Sequence, residues 1–195
     1  MKAAVGAGVV ALLTIVGACG DDSPPGSDAA AELAARDLPE VLEVTSPAFA
    51  DGTPVPPRFT CDGDDLAPPL AWSAVPTGTQ SLAIVVDDPD ASGGTFTHWV
   101  VTAIAADTGE TVEGQSPGVQ HENSFGVEEY RGPCPPTDDD AHTYRFTVYA
   151  LDAPGDVCGS DGDDDSCPSP TTQESLEYIG EHVRAEGSLT GTYGR

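Results

Sequence analysis

SLAIVVDDPDASGGTFTHWVV, residues 81–101, decides how the chain folds. Ser81 to Val86 is a continuous apolar run of strand length, which predicts a strand buried on both faces. His98 to Ile104 predicts the next one. Between them lie three aspartates, a proline and two glycines, more polar groups than a turn requires. The surplus points to solvation, metal binding or a site. A third segment, HTYRFTVYAL at 142–151, alternates clearly. It predicts a strand with His142, Tyr144, Phe146 and Val148 on one face and Thr143, Arg145, Thr147 and Tyr149 on the other. If these strand ends share one sheet edge, Asp88, His98, His142 and Tyr144 converge. A lone His/Tyr pair on a strand is more often part of a core; the added Asp88 and His98 make it a candidate site.

Outside these strands the chain is rich in turns. Gly (22) and Pro (18) are frequent and aromatics make up 6%, a mixture that favours short strands over long helices. Val41 to Thr45 predicts an early strand. One helix is expected, from a capping box at Thr171–Glu174 followed by Leu176, Ile179 and Val183 at helical spacing. Gly187 would end it, and Ser188 to Tyr193 would return as a short strand. The expected class is therefore mainly β, in one domain covering 40–195 of the 195 residues.

The acid excess is large: 33 Asp and Glu against 7 Lys and Arg, a formal net charge of −26. Such a surface repels nucleic acid and anionic headgroups, which excludes both as charge-driven partners. The acids are spread along the chain, as in a solubility device, rather than gathered into an interaction tail.

Residues 1–18 read as a lipoprotein signal peptide. Met1-Lys2 is followed by an apolar run, Ala3 to Val16, too short to span a membrane. Gly17-Ala18-Cys19 closes it and resembles a bacterial lipobox, which implies acylation of Cys19 and an extracytoplasmic, lipid-anchored chain; an ordinary secretory signal is the alternative. Residues 19–39 read as a polar, flexible tether, with a short helical turn at Ala29 to Ala35. Export would place the other four cysteines in an oxidising compartment. Cys158 and Cys167 bracket an acidic loop, so a local bridge is expected, leaving Cys61 with Cys134. No CxxC pair or Cys/His cluster supports zinc, and the 158–167 loop lacks the spacing of an EF-hand calcium site. No metal or cofactor is expected.

The ordered series Thr60-Cys61-Asp62-Gly63, Pro68-Pro69-Leu70, Trp72-Ser73, Asp88-Pro89-Asp90-Ala91, His98-Trp99-Val100-Val101, Asn123-Ser124-Phe125-Gly126, Gly132-Pro133-Cys134-Pro135-Pro136 and His142-Thr143-Tyr144 resembles the phosphatidylethanolamine-binding protein family, in its bacterial and archaeal Raf kinase inhibitor-like branch. The resemblance runs from about Leu42 to Tyr193. It implies two antiparallel β-sheets with a few short helices, one near the C-terminus, and a pocket for phosphate, acetate or a phosphoryl headgroup. The implied ligand-binding residues are Asp88, Asp90, His98, Gly132, Cys134, Pro135, His142 and Tyr144, with backbone N–H groups of 132–136 lining the anion. Three departures from the family pattern stand out: Ser92 after Asp-Pro-Asp-Ala, Thr143 in place of the usual Arg, and the acidic insertion 156–168.

A carboxylate repels phosphate, so Asp88 is expected to act indirectly, holding a ring N–H of His98 or His142 and favouring imidazolium. Binding would then tighten as pH falls toward the imidazole pKa of ~6.5. The function expected is a lipid-anchored binding protein for a small anion, not an enzyme. A phosphoester hydrolase using Asp, His and Tyr is the alternative, although the chain has no nucleophile elbow and no HExxH. An inhibitor docking on a protease or kinase is another.

Overall fold

A computed structural model describes residues 23–36, 38, 42–157 and 169–195. Cys19, the Cys158–Cys167 pairing and the possible calcium loop lie outside the described residues. The elements are α1 (Ser27–Ala34), β1 (Glu43–Thr45), β2 (Thr53–Pro54), β3 (Ala71–Ser73), β4 (Ser81–Asp88), β5 (Phe96–Ala105), β6 (Val119–His121), β7 (His142–Leu151), α2 (Thr172–His182) and β8 (Val183–Tyr193), with a 3-10 turn at Pro57–Phe59. They build a six-stranded sheet, β2-β8-β7-β4-β5-β6, and a two-stranded one, β1-β3. The mainly β, two-sheet expectation holds. The large sheet is mixed at its edge, because the two residues of β2 run parallel to β8.

β4 is buried at every position, as its unbroken apolar run requires. Leu82, Ile84 and Val86 face one core, shared with Trp72, Trp99, Tyr144, Phe146 and Val148. Ala83 and Val85 face a second core beneath the helices, with Ala30, Leu33, Leu176 and Ile179. The alternation of β7 divides as expected: Tyr144, Phe146 and Val148 enter the first core, Tyr149 the second.

Two sequence expectations shift. Residues 27–34, within the stretch read as a flexible tether, form α1, whose Ala30 and Leu33 bury themselves in the second core. Ala and Leu at i and i+3 give this short helix one apolar stripe, and α2 supplies the surface that covers it. At the C-terminus the capping box forms, with Thr171 accepting from the Glu174 N–H. The helix nevertheless stops at His182, and β8 starts at Val183 without a loop. Val183, assigned above to the helix, is a strand residue, and Gly187 lies inside the strand. A Cβ at Gly187 would sit 2.0 Å from the Leu42 carbonyl oxygen, so this glycine permits a close backbone approach and does not act as a stop.

Candidate functional site

The C-terminal end of β4 and the N-terminal ends of β5 and β7 meet at one sheet edge, as the antiparallel registers require. Asp88 lies at the end of β4. Its Oδ1 accepts the Asp90 N–H at 2.9 Å, which closes the Asp-Pro-Asp turn. Its Oδ2 pairs with His142 Nδ1 at 2.8 Å. Of the two histidines left open by the sequence, Asp88 therefore holds His142. Facing a carboxylate, Nδ1 of His142 must carry the ring hydrogen.

His98 reaches the site through a backbone irregularity. Val86 pairs with Trp99 and Asp87 with Thr97, so His98 is an extra residue in β5, a β-bulge. Bulges re-aim side chains, and here the imidazole turns toward Tyr144, ring centroids 5.3 Å apart and edge-on. Phe96 and Phe125 pack against it at 5.4 Å each. Nδ1 of His98 lies 2.7 Å from the Arg131 carbonyl oxygen, to which it donates. Burial is the largest influence on this ring and lowers its pKa, outweighing the Arg131 carbonyl and the Asp88 charge, which act the other way. This corrects the expectation of an imidazolium at His98: the ring is neutral near pH 7, and its Nε2 is an acceptor.

Tyr144 lies between the two histidines, with the His142 ring 6.5 Å away and roughly parallel. It is fully buried, and its hydroxyl makes no hydrogen bond of good geometry, although Asp88 and the Cys134 N–H lie close to it. Burial, followed by the negative charge of Asp88, pushes its pKa far above the usual phenol range, so the proton stays on. A buried hydroxyl without a partner costs about 1–3 kcal/mol, and such an exception needs a reason.

The 132–136 loop supplies less than expected. Pro133, Pro135 and Pro136 have no N–H. The Gly132 N–H is spent on Asp65 Oδ1 at 2.7 Å. A Cβ at Gly132 would fall 2.2 Å from the Phe59 carbonyl oxygen, so this glycine serves the close packing of two loops. The Cys134 N–H is left, beside the Tyr144 hydroxyl. Cys134 is bonded to Cys61, with Cα atoms 5.4 Å apart, and the Cys61 N–H donates to Pro133 O at 3.2 Å. Asp90 pins the start of β7: its Oδ2 accepts the Thr143 N–H at 2.8 Å. Pro135 is buried and has no donor.

Several residues were not singled out in the sequence. Asn123 donates from its amide to the carbonyls of His98 (3.1 Å) and Glu129 (2.7 Å), holding the bulge. The Arg131 carbonyl, for which a sequence carries no signal, anchors His98, while the Arg131 guanidinium pairs with Asp65 and Glu129. Asp139 Oδ2 lies 3.8 Å from His142 Nε2, at the mouth; its run, Asp138-Asp139-Asp140, was visible but merged into the general acid excess. Among the described residues there is no group of three or more His, Cys, Asp or Glu placed to hold a metal ion.

Comparison with known proteins agrees with this fold. A family model described as "Phosphatidylethanolamine-binding protein" matches residues 45–194. The candidate lipoprotein LppC of Mycobacterium tuberculosis is 39% identical over 199 residues, covering 94% of this chain and 92% of its own. A UPF0098 protein of Methanothermobacter thermautotrophicus is 38% identical over 161 residues, 79% of this chain and 99% of its own. Two crystal structures superpose well: CT736 of Chlamydia trachomatis, titled a candidate homologue of phosphatidylethanolamine-binding protein (TM-score 0.68, 33% identity), and Escherichia coli YbcL, titled a new member of the mammalian family (TM-score 0.69, 27% identity). Each alignment covers 80% of this chain and 99% of the other. With the family model matching residues 45–194, which contain every strand of the six-stranded sheet, the chain belongs to the phosphatidylethanolamine-binding protein family.

Proposed function

We propose that this protein is a lipid-anchored, extracytoplasmic binding protein whose pocket takes a small oxyanion, a phosphate or the phosphoryl or carboxylate group of a larger molecule. The observation that carries the reading is the Tyr144 hydroxyl, buried beside Asp88 and the Cys134 N–H without a well-formed hydrogen bond to either. It is a neutral donor beside the Cys134 N–H and between two imidazoles. A phosphate monoester that keeps one proton suits this set. Its oxygens accept from Tyr144 and Cys134, and its P–OH donates to the neutral His98 Nε2. Asp88 takes no direct part; both its oxygens are occupied by Asp90 and His142. Lipid anchoring is supported by the lipobox-like Gly17-Ala18-Cys19 and by the lipoprotein name of LppC.

Calorimetry with inorganic phosphate and O-phosphorylethanolamine tests the pocket. The Tyr144→Phe variant keeps the ring and removes the hydroxyl. It should lose about tenfold in affinity, the equivalent of one hydrogen bond to a charged group, while its thermal midpoint stays level or rises. Unchanged affinity, or a lower midpoint, would make Tyr144 an ordinary core residue. Steady phosphate release from a phosphomonoester would replace the binding reading with the hydrolase.

A further inference from the structure

We infer that the segment before α1 is a strap that holds the pocket mouth against the membrane surface, with Phe125 seated among the headgroups. This rests on the lipid anchor and the pocket proposed above. The Pro25 carbonyl accepts a hydrogen bond from Ser124 Oγ at 2.9 Å. The same Oγ accepts the Thr97 N–H at 3.0 Å, and the Ser124 N–H returns to Thr97 O at 2.9 Å. Ser27 lies against the β4–β5 turn: a Cβ on Gly94 would be 3.2 Å from Ser27 Cβ. The strap therefore touches both loops that flank His98. Phe125, next to Ser124, is 47% exposed while its ring packs edge-on against Phe96 and His98. A half-exposed aromatic at the rim of a site, next to an anchored segment, suits an interfacial position.

The length of the strap sets the orientation. Five residues separate Cys19 from Pro25, six Cα–Cα steps. Fully extended these steps reach at most about 22 Å. β4 alone, from Ser81 at the far edge to Asp88 at the mouth, spans about 23 Å, with the 74–80 turn beyond it. An acylated Cys19 thus lacks the reach to leave the mouth pointing away from the bilayer. The net charge of −26 selects a zwitterionic surface over an anionic one.

The test uses the full-length, lipidated chain in phosphatidylcholine vesicles containing phosphatidylcholine brominated near the headgroup end of its acyl chains. Tryptophan is introduced as Phe125→Trp at the mouth or Thr77→Trp at the far edge, and the quenching of buried Trp72 and Trp99 is subtracted using the parent protein. Quenching is expected for Phe125→Trp and absent for Thr77→Trp. A Gly-Ser spacer of about ten residues between Asp22 and Ser23 should abolish it. Equal quenching at both positions, none at Phe125→Trp in vesicle-bound protein, or indifference to the spacer overturns the strap. Protein recovered unlipidated and free of vesicles overturns it through the anchor instead, and phosphate calorimetry on the same sample reports separately on the pocket.

Discussion

At the scale of single residues, the site gathers neutral donors and acceptors inside a strongly acidic molecule. Asp139 opposes an incoming anion: it is half-exposed and its Oδ2 lies 3.8 Å from His142 Nε2. Such a pair gains only about 0.2–1 kcal/mol in water, so Asp139→Asn should tighten phosphate binding about two- to fivefold at low salt, and the gain should shrink as salt is added. Calorimetry at two ionic strengths measures both; an unchanged or weaker affinity would show that Asp139 does not compete with the ligand. Burial keeps the His98 ring neutral, so a pH response of the ligand itself becomes measurable against it. A phosphate monoester, with a second pKa near ~6, should bind more tightly as pH falls from about 8 to 6, whereas acetate should not, and parallel profiles for the two would return the effect to the protein. Asp88, His98, His142 and Tyr144 were legible as a group because strand ends in one sheet converge. The division of labour among them was not. Which histidine Asp88 holds depends on a bulge, and a bulge leaves no pattern in the residues around it.

At the scale of elements, the mouth is shaped by two loops locked to each other. Cys61–Cys134 ties the segment after the Pro57–Phe59 turn to the 132–136 loop across 73 residues of sequence. A loop of that length gives about 4 kcal/mol of chain-entropy stabilisation, with a usual range of ~2–5 for native bridges in exported domains. The double variant Cys61→Ser/Cys134→Ser should therefore unfold at a lower denaturant concentration. If the bridge also positions the Cys134 N–H, anion affinity should fall under native conditions as well. Full affinity in a folded but destabilised variant would limit the bridge to stability. β4, β5, β7 and α2 were legible because each has a period or an unbroken apolar run of its own. β3 and β6, three residues each, do not: they exist because Ala71–Ser73 pairs with β1 and Val119–His121 with β5. The α2–β8 junction misled for a related reason. Val183 fits a helical stripe and a strand equally well, and its pairing with Leu151 decided the matter.

For the whole molecule, charge and burial act in opposite directions on acid stability. Acidification neutralises carboxylates and relaxes the repulsion of a chain at −26, which favours the folded state. The buried histidines respond the other way. Burial lowers the pKa of His98 against the pull of Asp88 and Asp65, and lowers that of His121 against Glu128 and Asp156. In the unfolded chain both take up protons near ~6.5; folded, they do so only at lower pH. Between those values the unfolded state binds more protons, so their contribution is fully present above ~6.5 and is lost as pH falls through the folded values. Buried Asp87, raised by desolvation despite Arg145, acts with the opposite sign. High salt removes most of the surface repulsion and leaves the buried groups exposed to measurement. Under those conditions the urea midpoint of the wild type should fall between pH 7.5 and 5. His98→Gln, which keeps a donor for the Arg131 carbonyl and has no titrating ring, should fall by less. Parallel declines would mean that His98 does not resist protonation in the folded state, and the neutral acceptor assigned to its Nε2 would go with it.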